Sequence, residues 1–296
     1  MLFHNNMVIY ILSRNPNLYS TSRIFREGKK AGHNVQVINH LYCELLIENN
    51  SFKIQYEGKI LKKPDLIIPR IGANVTNFGE KVIRHFEKMG VKTLTSSIGL
   101  IMSRDKFKCM QTIVEHGVTV PTTYFSDDLH EAEQIVKQKL GYPFILKLIE
   151  GTQGVGVFLI NDEETAQRYF DLYSDSRHKV ILQKFISESF GRDIRIIVIG
   201  QKIVAAMERI APSNEFRSNI HRGGRGKTVE LTEEEKGIAL TTMKALNLHI
   251  AGIDIIRSKS GPQLLEVNSS PGLEGIEKTT KTNVARAIIN YIENDH

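Results

Sequence analysis

Tryptophan is absent from the 296 residues, and aromatic residues make up only 7%. Extended base stacking on a nucleic acid is therefore not advertised. Cysteine is scarce too. Cys43 and Cys109 are the only two and form no ligand or redox motif, which fits a reducing cytosol better than a disulfide scaffold. No run approaches the ~18 apolar residues of a membrane span. The opening stretch MLFHNNMVIYILSRN has neither a basic segment before its apolar run nor a small-residue cleavage site, so no signal peptide is expected. Repeats and low-complexity linkers are missing as well. Any domains should therefore share an extensive interface.

What is present is a 41% apolar chain, ample for two or three domains. The net charge is +6 and the pI about 9.1. That balance favours an anionic partner, whether nucleic acid, nucleotide or acidic peptide.

Strand and helix patterns alternate over the first ~95 residues, which predicts a small parallel α/β sheet. Strands are expected at 7–12, 34–38, 65–69 and 91–94, helices at 19–31 and 75–89, and a hairpin at 52–60. No G-x-G-x-x-G follows the first strand, so a Rossmann dinucleotide site lacks its phosphate loop. Further on, the pattern predicts a helix at 104–116, a strand at 121–125 and a helix at 128–140. The strand at 143–148 carries Lys147 among Pro, Phe, Ile and Leu. A glycine-rich stretch, Glu150-Gly-Thr-Gln-Gly-Val-Gly156, separates it from a strand at 157–160. Glycines between two strands form a hairpin rather than a P-loop, and resemble a phosphate-covering lid. A helix at 162–172 and a strand at 180–186 follow. A hairpin spans 193–210, with Asp193, Arg195, Glu208 and Arg209 at outward positions. Residues 211–229 read as a long basic loop, Thr232 and Glu235 as a capping box for a helix to about 246, and 276–292 as a final helix.

The stretch 251–275 reads as two apolar strands joined at Gly261-Pro262. Alternation puts Glu266 and Asn268 on one face, and Asp254 joins them if the strands pair. Two carboxylates and an amide oxygen are hard ligands suited to Mg²⁺ or Mn²⁺. A sheet with one solvated face would carry the same residues. Lys147 likewise reads either as an edge-strand lysine or as a phosphate ligand beside a glycine lid, and Lys106 as a solvated lysine or a second phosphate ligand. Arg217, Ser218, Asn219, His221 and Arg222 suit an anion in a site that closes. The Arg222-Gly-Gly-Arg225-Gly segment also allows an RNA-binding reading.

Taken in order, KLIEGTQGVGV, LQKFI, DIRIIVIG, ERIAPSNEFRSNIHRGG, AGIDI and LLEVNSSPGLEGIEKTT resemble the ATP-grasp superfamily, and within it the RimK-type glutamate ligases. The resemblance begins at YILSRNPNLYS, passes through IPRIG at 68–72 and covers nearly the whole chain. It implies an α/β and α+β fold, in which an N-terminal parallel α/β domain (1–98) precedes a central lobe with the glycine lid (99–184) and a C-terminal lobe with a metal site (185–296). The two lobes would enclose ATP.

The resemblance also implies roles. Lys106 and Lys147 would touch phosphates under a lid of Gly151, Thr152, Gln153, Gly154 and Gly156. Gln183, Lys184 and Phe185 would hold adenine, although relatives often carry an acid where Lys184 stands. Asp193 would hold the ribose. Arg217, Ser218 and Asn219 would bind phosphates and the reacting group, with Arg217, Lys147 and Asn219 closest to the chemistry. Asp254, Glu266 and Asn268 would hold two Mg²⁺ or Mn²⁺ ions. The implied reaction is ATP-dependent addition of L-glutamate to the acidic C-terminal tail of a ribosomal small-subunit protein, in the cytoplasm and away from membranes, by a homotetramer that binds no nucleic acid directly. A small-molecule cofactor or an amino-acid carrier protein is the alternative acceptor.

Overall fold

The computed structural model describes residues 6–148, 156–174, 179–213, 215–218 and 223–295. Its first sheet is built from β1 (Val8–Leu12), β2 (Asn34–Ile38), β6 (Leu66–Pro69) and β7 (Lys92–Thr93). All three pairings are parallel, in the order β2-β1-β6-β7. Strand β1 is nearly all apolar because both its faces are covered. Helices α1 (Tyr19–Lys30) and α2 (Thr76–Lys88) do the covering. On α2 the buried stripe is Val82, Ile83 and Phe86. A small meander of β3 (Cys43–Glu48), β4 (Ser51–Tyr56) and β5 (Lys59–Ile60) sits between β2 and β6 in the chain. Only its second hairpin was legible in the residue pattern.

Two helices follow where one was expected. Helix α3 (Ser97–Arg104) ends at Asp105, which in turn caps α4 (Lys106–Glu115) by accepting a hydrogen bond from the Lys108 N–H at 3.0 Å. One aspartate thus stops a helix and starts the next, because its side chain replaces a missing backbone acceptor.

The second sheet is antiparallel throughout, in the order β10-β9-β11-β8. Its strands are β8 (Thr123–Ser126), β9 (Phe144–Leu148), β10 (Val157–Ile160) and β11 (Val180–Lys184). Helices α5 (Leu129–Ile135), prolonged by a π-helical turn at Val136–Leu140, and α6 (Glu163–Ser174) lie in this lobe. Phe144, Leu146, Ile160, Phe170 and Leu182 form its own closed core.

The third sheet has the order β14-β13-β12-β15-β16, built from β12 (Arg192–Ile199), β13 (Lys202–Ile210), β14 (Arg225–Thr228), β15 (Ile250–Ser258) and β16 (Gly261–Asn268). Helix α7 (Glu233–Ala245) covers one face, where Ile194, Ile196, Ile253 and Val267 point. Thr232 and Glu235 form the expected capping box. The other face packs on the first sheet. Ile197, Ile199, Ala205 and Met207 share one core with Ile9, Ile11, Ile24 and Ile68, completed by residues of α8 (Glu274–Thr280) and α9 (Val284–Asp295). Tyr19 and Arg23 of α1 both donate to the Glu277 carboxylate, at 2.9 and 3.0 Å. The extensive interface expected from the lack of linkers is this shared core.

Three local expectations need correction. The basic stretch 211–229 is not all loop, because Arg225–Thr228 pairs with β13 and Gly226 lies against Thr279. Lys259 and Ser260 make the β15–β16 turn, and Gly261-Pro262 already belongs to β16. The final helix is two helices, broken at Lys281, whose φ of 58° is left-handed.

Candidate active site

The hairpin β15–β16 sets the floor of the site. Asp254 lies opposite Glu266, and Gly252 opposite Asn268. Directly opposed residues two apart share a face, so Asp254, Glu266 and Asn268 lie together as their alternation predicts. Their surroundings differ. Glu266 is exposed, whereas Asp254 is buried. Among the described residues Glu266 makes no ion pair.

Asp254 does not stand alone. Arg195 donates to both its oxygens, from Nε to Oδ1 at 2.6 Å and from Nη2 to Oδ2 at 2.5 Å, and Arg209 Nη2 adds a third bond to Oδ2 at 2.8 Å. Arg209 also clasps Asp193 through Nε and Nη2. Burial alone would raise the Asp254 carboxyl, but the two guanidiniums hold it below the usual carboxylate range. Burial likewise opposes the Arg209 charge, and Asp254 and Asp193 outweigh it. The sequence placed Arg209 outward. In the structure it is 4% exposed, because its charge is neutralised within the sheet.

Lys147 projects from β9 and donates to Gln183 Oε1 at 2.7 Å. Gln183 in turn donates to Thr123 Oγ1 at 2.8 Å. The Gln183 side chain is thereby committed to holding the lysine. Burial, then the nearby charge of Lys106, pulls the Lys147 ammonium down to about 8, while Glu266 acts the other way. Lys106 at the start of α4 and Glu266 on β16 line one small recess with Cys109 and Met110. The Cys109 thiol there is inert, pushed up to about 12 by burial and by the charges of Glu266 and Asp105. Helix α4 and strands β9 and β16 thus bring two lysines toward one carboxylate.

Arg217 is held by Glu215, with Nε–Oε1 at 2.9 Å and Nη2–Oε2 at 2.8 Å, and lies over the Phe216 ring. Its Nη1 reaches the Val157 carbonyl at 3.4 Å, so the basic segment touches the central lobe. Ser218 is buried. Phe185 packs edge-on against Phe190, and exposed Lys184 gives its N–H to the Thr122 carbonyl. Gly156 has φ 83° and its carbonyl accepts from Leu148. Gly151, Thr152, Gln153, Gly154 and Asn219 lie outside the described residues, as do His221 and Arg222.

The residues present fit a nucleotide with a divalent ion. A carboxylate has about four lone-pair sites; the arginines take three on Asp254 and leave one on Oδ1. Among the described residues Glu266 keeps all of its own. Among the described residues the Asn268 Nδ2 is buried without a hydrogen-bond partner; as a donor it suits a phosphate oxygen, which leaves the Asn268 Oδ1 as the end that could face an ion.

Comparison with known proteins gives the family. A family model described as the RimK-like ATP-grasp domain matches residues 103–292, and one for the RimK PreATP-grasp domain matches 7–100. The chain belongs to the RimK-like ATP-grasp family. It is an ATP-dependent ligase, and ATP-grasp ligases use ATP with Mg²⁺. A curated relative from Legionella pneumophila (strain Corby), named probable alpha-L-glutamate ligase, is 44% identical over 288 residues, covering 97% of this chain and 95% of the relative. Among solved structures, the ATP-grasp ligase PsnB in complex with a phosphomimetic variant of its minimal precursor, Mg and ADP aligns with a TM-score of 0.72 at 16% identity, over 97% of each chain. A RimK domain ATP-grasp protein from Sphaerobacter thermophilus aligns with 0.71 at 15%, over 96% of this chain and 98% of that one. At that identity these two show the ATP-grasp fold alone. Among the described residues no helix is long and apolar enough to cross a membrane.

Two arginines escaped the sequence reading. Arg70 directly follows β6 and Arg104 ends α3. Arg70 carried the same signal as Lys147, a cation in an otherwise apolar strand context, within IPRIG.

Proposed function

We propose that this ligase joins L-glutamate to the C-terminal glutamate of an acidic protein tail, that of a ribosomal small-subunit protein. The observation that carries the reading is the convergence of Lys106 and Lys147 on Glu266, phosphate ligands facing a metal ligand. The name borne by its 44%-identical relatives supports glutamate as the amino acid.

A carboxylate is a poor electrophile, so it is activated first. The γ-phosphoryl group of ATP passes to the acceptor carboxylate, giving an acyl phosphate and ADP. The glutamate amine then attacks that carbonyl, the C–N bond forms and phosphate leaves. Lys147 and Lys106 hold the phosphate oxygens, and Arg217 offsets charge from the facing side. Asp254, Glu266 and Asn268 would hold two Mg²⁺ ions, whose charge screens the triphosphate when bound. Asp193 would hold the ribose, and Lys184 and Phe185 the adenine, with Gln183 behind them steadying Lys147 instead of touching the base. The glycine stretch 151–156 and the segment carrying Ser218 and Asn219 would exclude water from the acyl phosphate. The chain would work in the cytoplasm as a homo-oligomer.

Intact-mass analysis after incubation with ATP, Mg²⁺, glutamate and candidate acceptors tests this. A ladder of glutamyl additions on the ribosomal protein is expected, and Glu266→Ala should abolish it together with ADP release. ADP release with no mass added to any acceptor ending in glutamate would overturn the reading.

A further inference from the structure

A cavity of about 350 Å³ lies between the first sheet and the third. Its lining includes Ser20 and Thr21 at the start of α1, Arg70 and Gly72 after β6, and Ser270 and Gly272 after β16. In a parallel sheet, ligands bind beyond the carboxyl ends of the strands, where the strand order reverses. Here β1 is followed by β2 on one side and by β6 on the other, so the reversal falls between β1 and β6. The segments after those two strands are the ones that line the cavity.

Its charge is unbalanced. Arg195 and Arg209 also line it, but both are neutralised by Asp254 and Asp193. Glu274 at its edge is engaged by Lys278 at 2.6 Å. Among the described residues Arg70 has no such partner, and Arg104 feels only the more distant charge of Glu266, which offsets part of its burial. Arg70 Nη2 donates to the Pro271 carbonyl at 2.6 Å, and Arg104 Nη2 to the Ile71 carbonyl at 2.7 Å. Among the described residues neither guanidinium meets a carboxylate, and the buried Arg104 Nε has no acceptor. The two charges also repel. Burial, and then Arg104, pull the Arg70 guanidinium down to about 10. Half-buried cations side by side are kept where an anion arrives to pair with them.

We infer that Arg70, backed by Arg104, binds a substrate carboxylate in this cavity, one that is not itself phosphorylated. The guanidinium fork matches a carboxylate through two parallel bonds, whereas the phosphate ligands proposed above are mainly lysines on another wall. The inference rests on the glutamate-ligase reading and deepens it. Both the incoming amino acid and the acceptor's last residue carry such a carboxylate.

The test compares wild type with Arg70→Met and Arg70→Lys. Arg70→Met should raise KM for one carboxylate substrate by about 10- to 100-fold, the loss of a charge-assisted hydrogen bond. KM for ATP should stay within about twofold. Arg70→Lys should recover part of the loss. A rise in KM for glutamate alone assigns the site to the incoming amino acid, and a rise for the acceptor peptide alone assigns it to the chain end. Unchanged KM for both in Arg70→Met overturns the inference, as does an equal loss on ATP. Without ligand, Arg70→Met should melt no lower than wild type, because it removes a half-buried charge that no carboxylate offsets. Calorimetric titration with glutarate keeps the two readings apart. Should wild type form no glutamyl product, the glutamate reading fails, yet glutarate binding that Arg70→Met abolishes still upholds the arginine site. Equal glutarate binding by both proteins sinks it.

Discussion

Raising the pH should both stabilise the free protein and weaken its grip on ATP, and Lys147 is the cause. Its ammonium titrates at about 8 in the folded chain, against an ordinary 10.5. Below pH 8 both folded and unfolded states hold the proton, and the folded state bears the full burial penalty. Between about 8 and 10.5 the folded state releases its proton first. The unfolded state then binds more protons, so stability rises with pH across that window. At about 1.4 kcal/mol per pH unit the interval amounts to ~3.5 kcal/mol, and partial exposure lowers this to ~1–2 kcal/mol. Lys147→Met removes the penalty, so it should exceed wild type by that amount at pH 7 and match it near pH 10.5. Urea unfolding of both proteins at the two pH values measures the difference, free of the titration of other groups. In function, kcat/KM for ATP should fall above pH 8 in wild type, since that ratio reports the free enzyme. Lys147→Arg, which stays charged, should flatten the fall. A wild-type profile that is level to pH 9.5, or an identical fall in Lys147→Arg, would refute the placement of Lys147 at the phosphates.

Arg209→Met leaves Asp193 without its clasp and Asp254 with one guanidinium instead of two, so it should destabilise the chain by ~3–5 kcal/mol in denaturant unfolding. Gly79→Ala puts a Cβ 2.4 Å from Ile71 Cγ2, beside the Arg70 segment; a loss of ~1–3 kcal/mol is expected by the same assay despite alanine's better helix propensity. Rising ionic strength should raise KM for an acidic protein acceptor, because the chain's net charge of +6 steers it; a flat response would point to a small neutral acceptor.

Much of this was written locally in the chain. Alternation put Glu266 and Asn268 on one face, because the side-chain period of a strand is strictly two, and Asp254 joined them on the condition, met in the structure, that the two strands pair. The capping box at Thr232 and the buried strand β1 were equally plain. What local pattern missed was set by partners far away in sequence. Arg209 looks solvent-facing until Asp193 and Asp254 come beside it. The strand at Arg225–Thr228 has a composition of basic residues and glycine that reads as loop, and only the edge of β13 makes it a strand. Arg70 was passed over because one cation at a strand end carries little information until Arg104 is seen against it.

The core shared by the first sheet, the third sheet and α9 also bears on how the chain comes into being. Ile9 and Ile289 belong to one cluster, roughly 280 residues apart. A ribosome adding ~5–20 residues per second separates them by about 15–60 s. For that time the face of β1 and β6 destined for α9 and the third sheet stays uncovered, while the central lobe, whose core draws on no distant segment, can close on its own. Vectorial synthesis therefore predicts an inside-out order, in which the middle of the chain becomes protease-resistant before its beginning does.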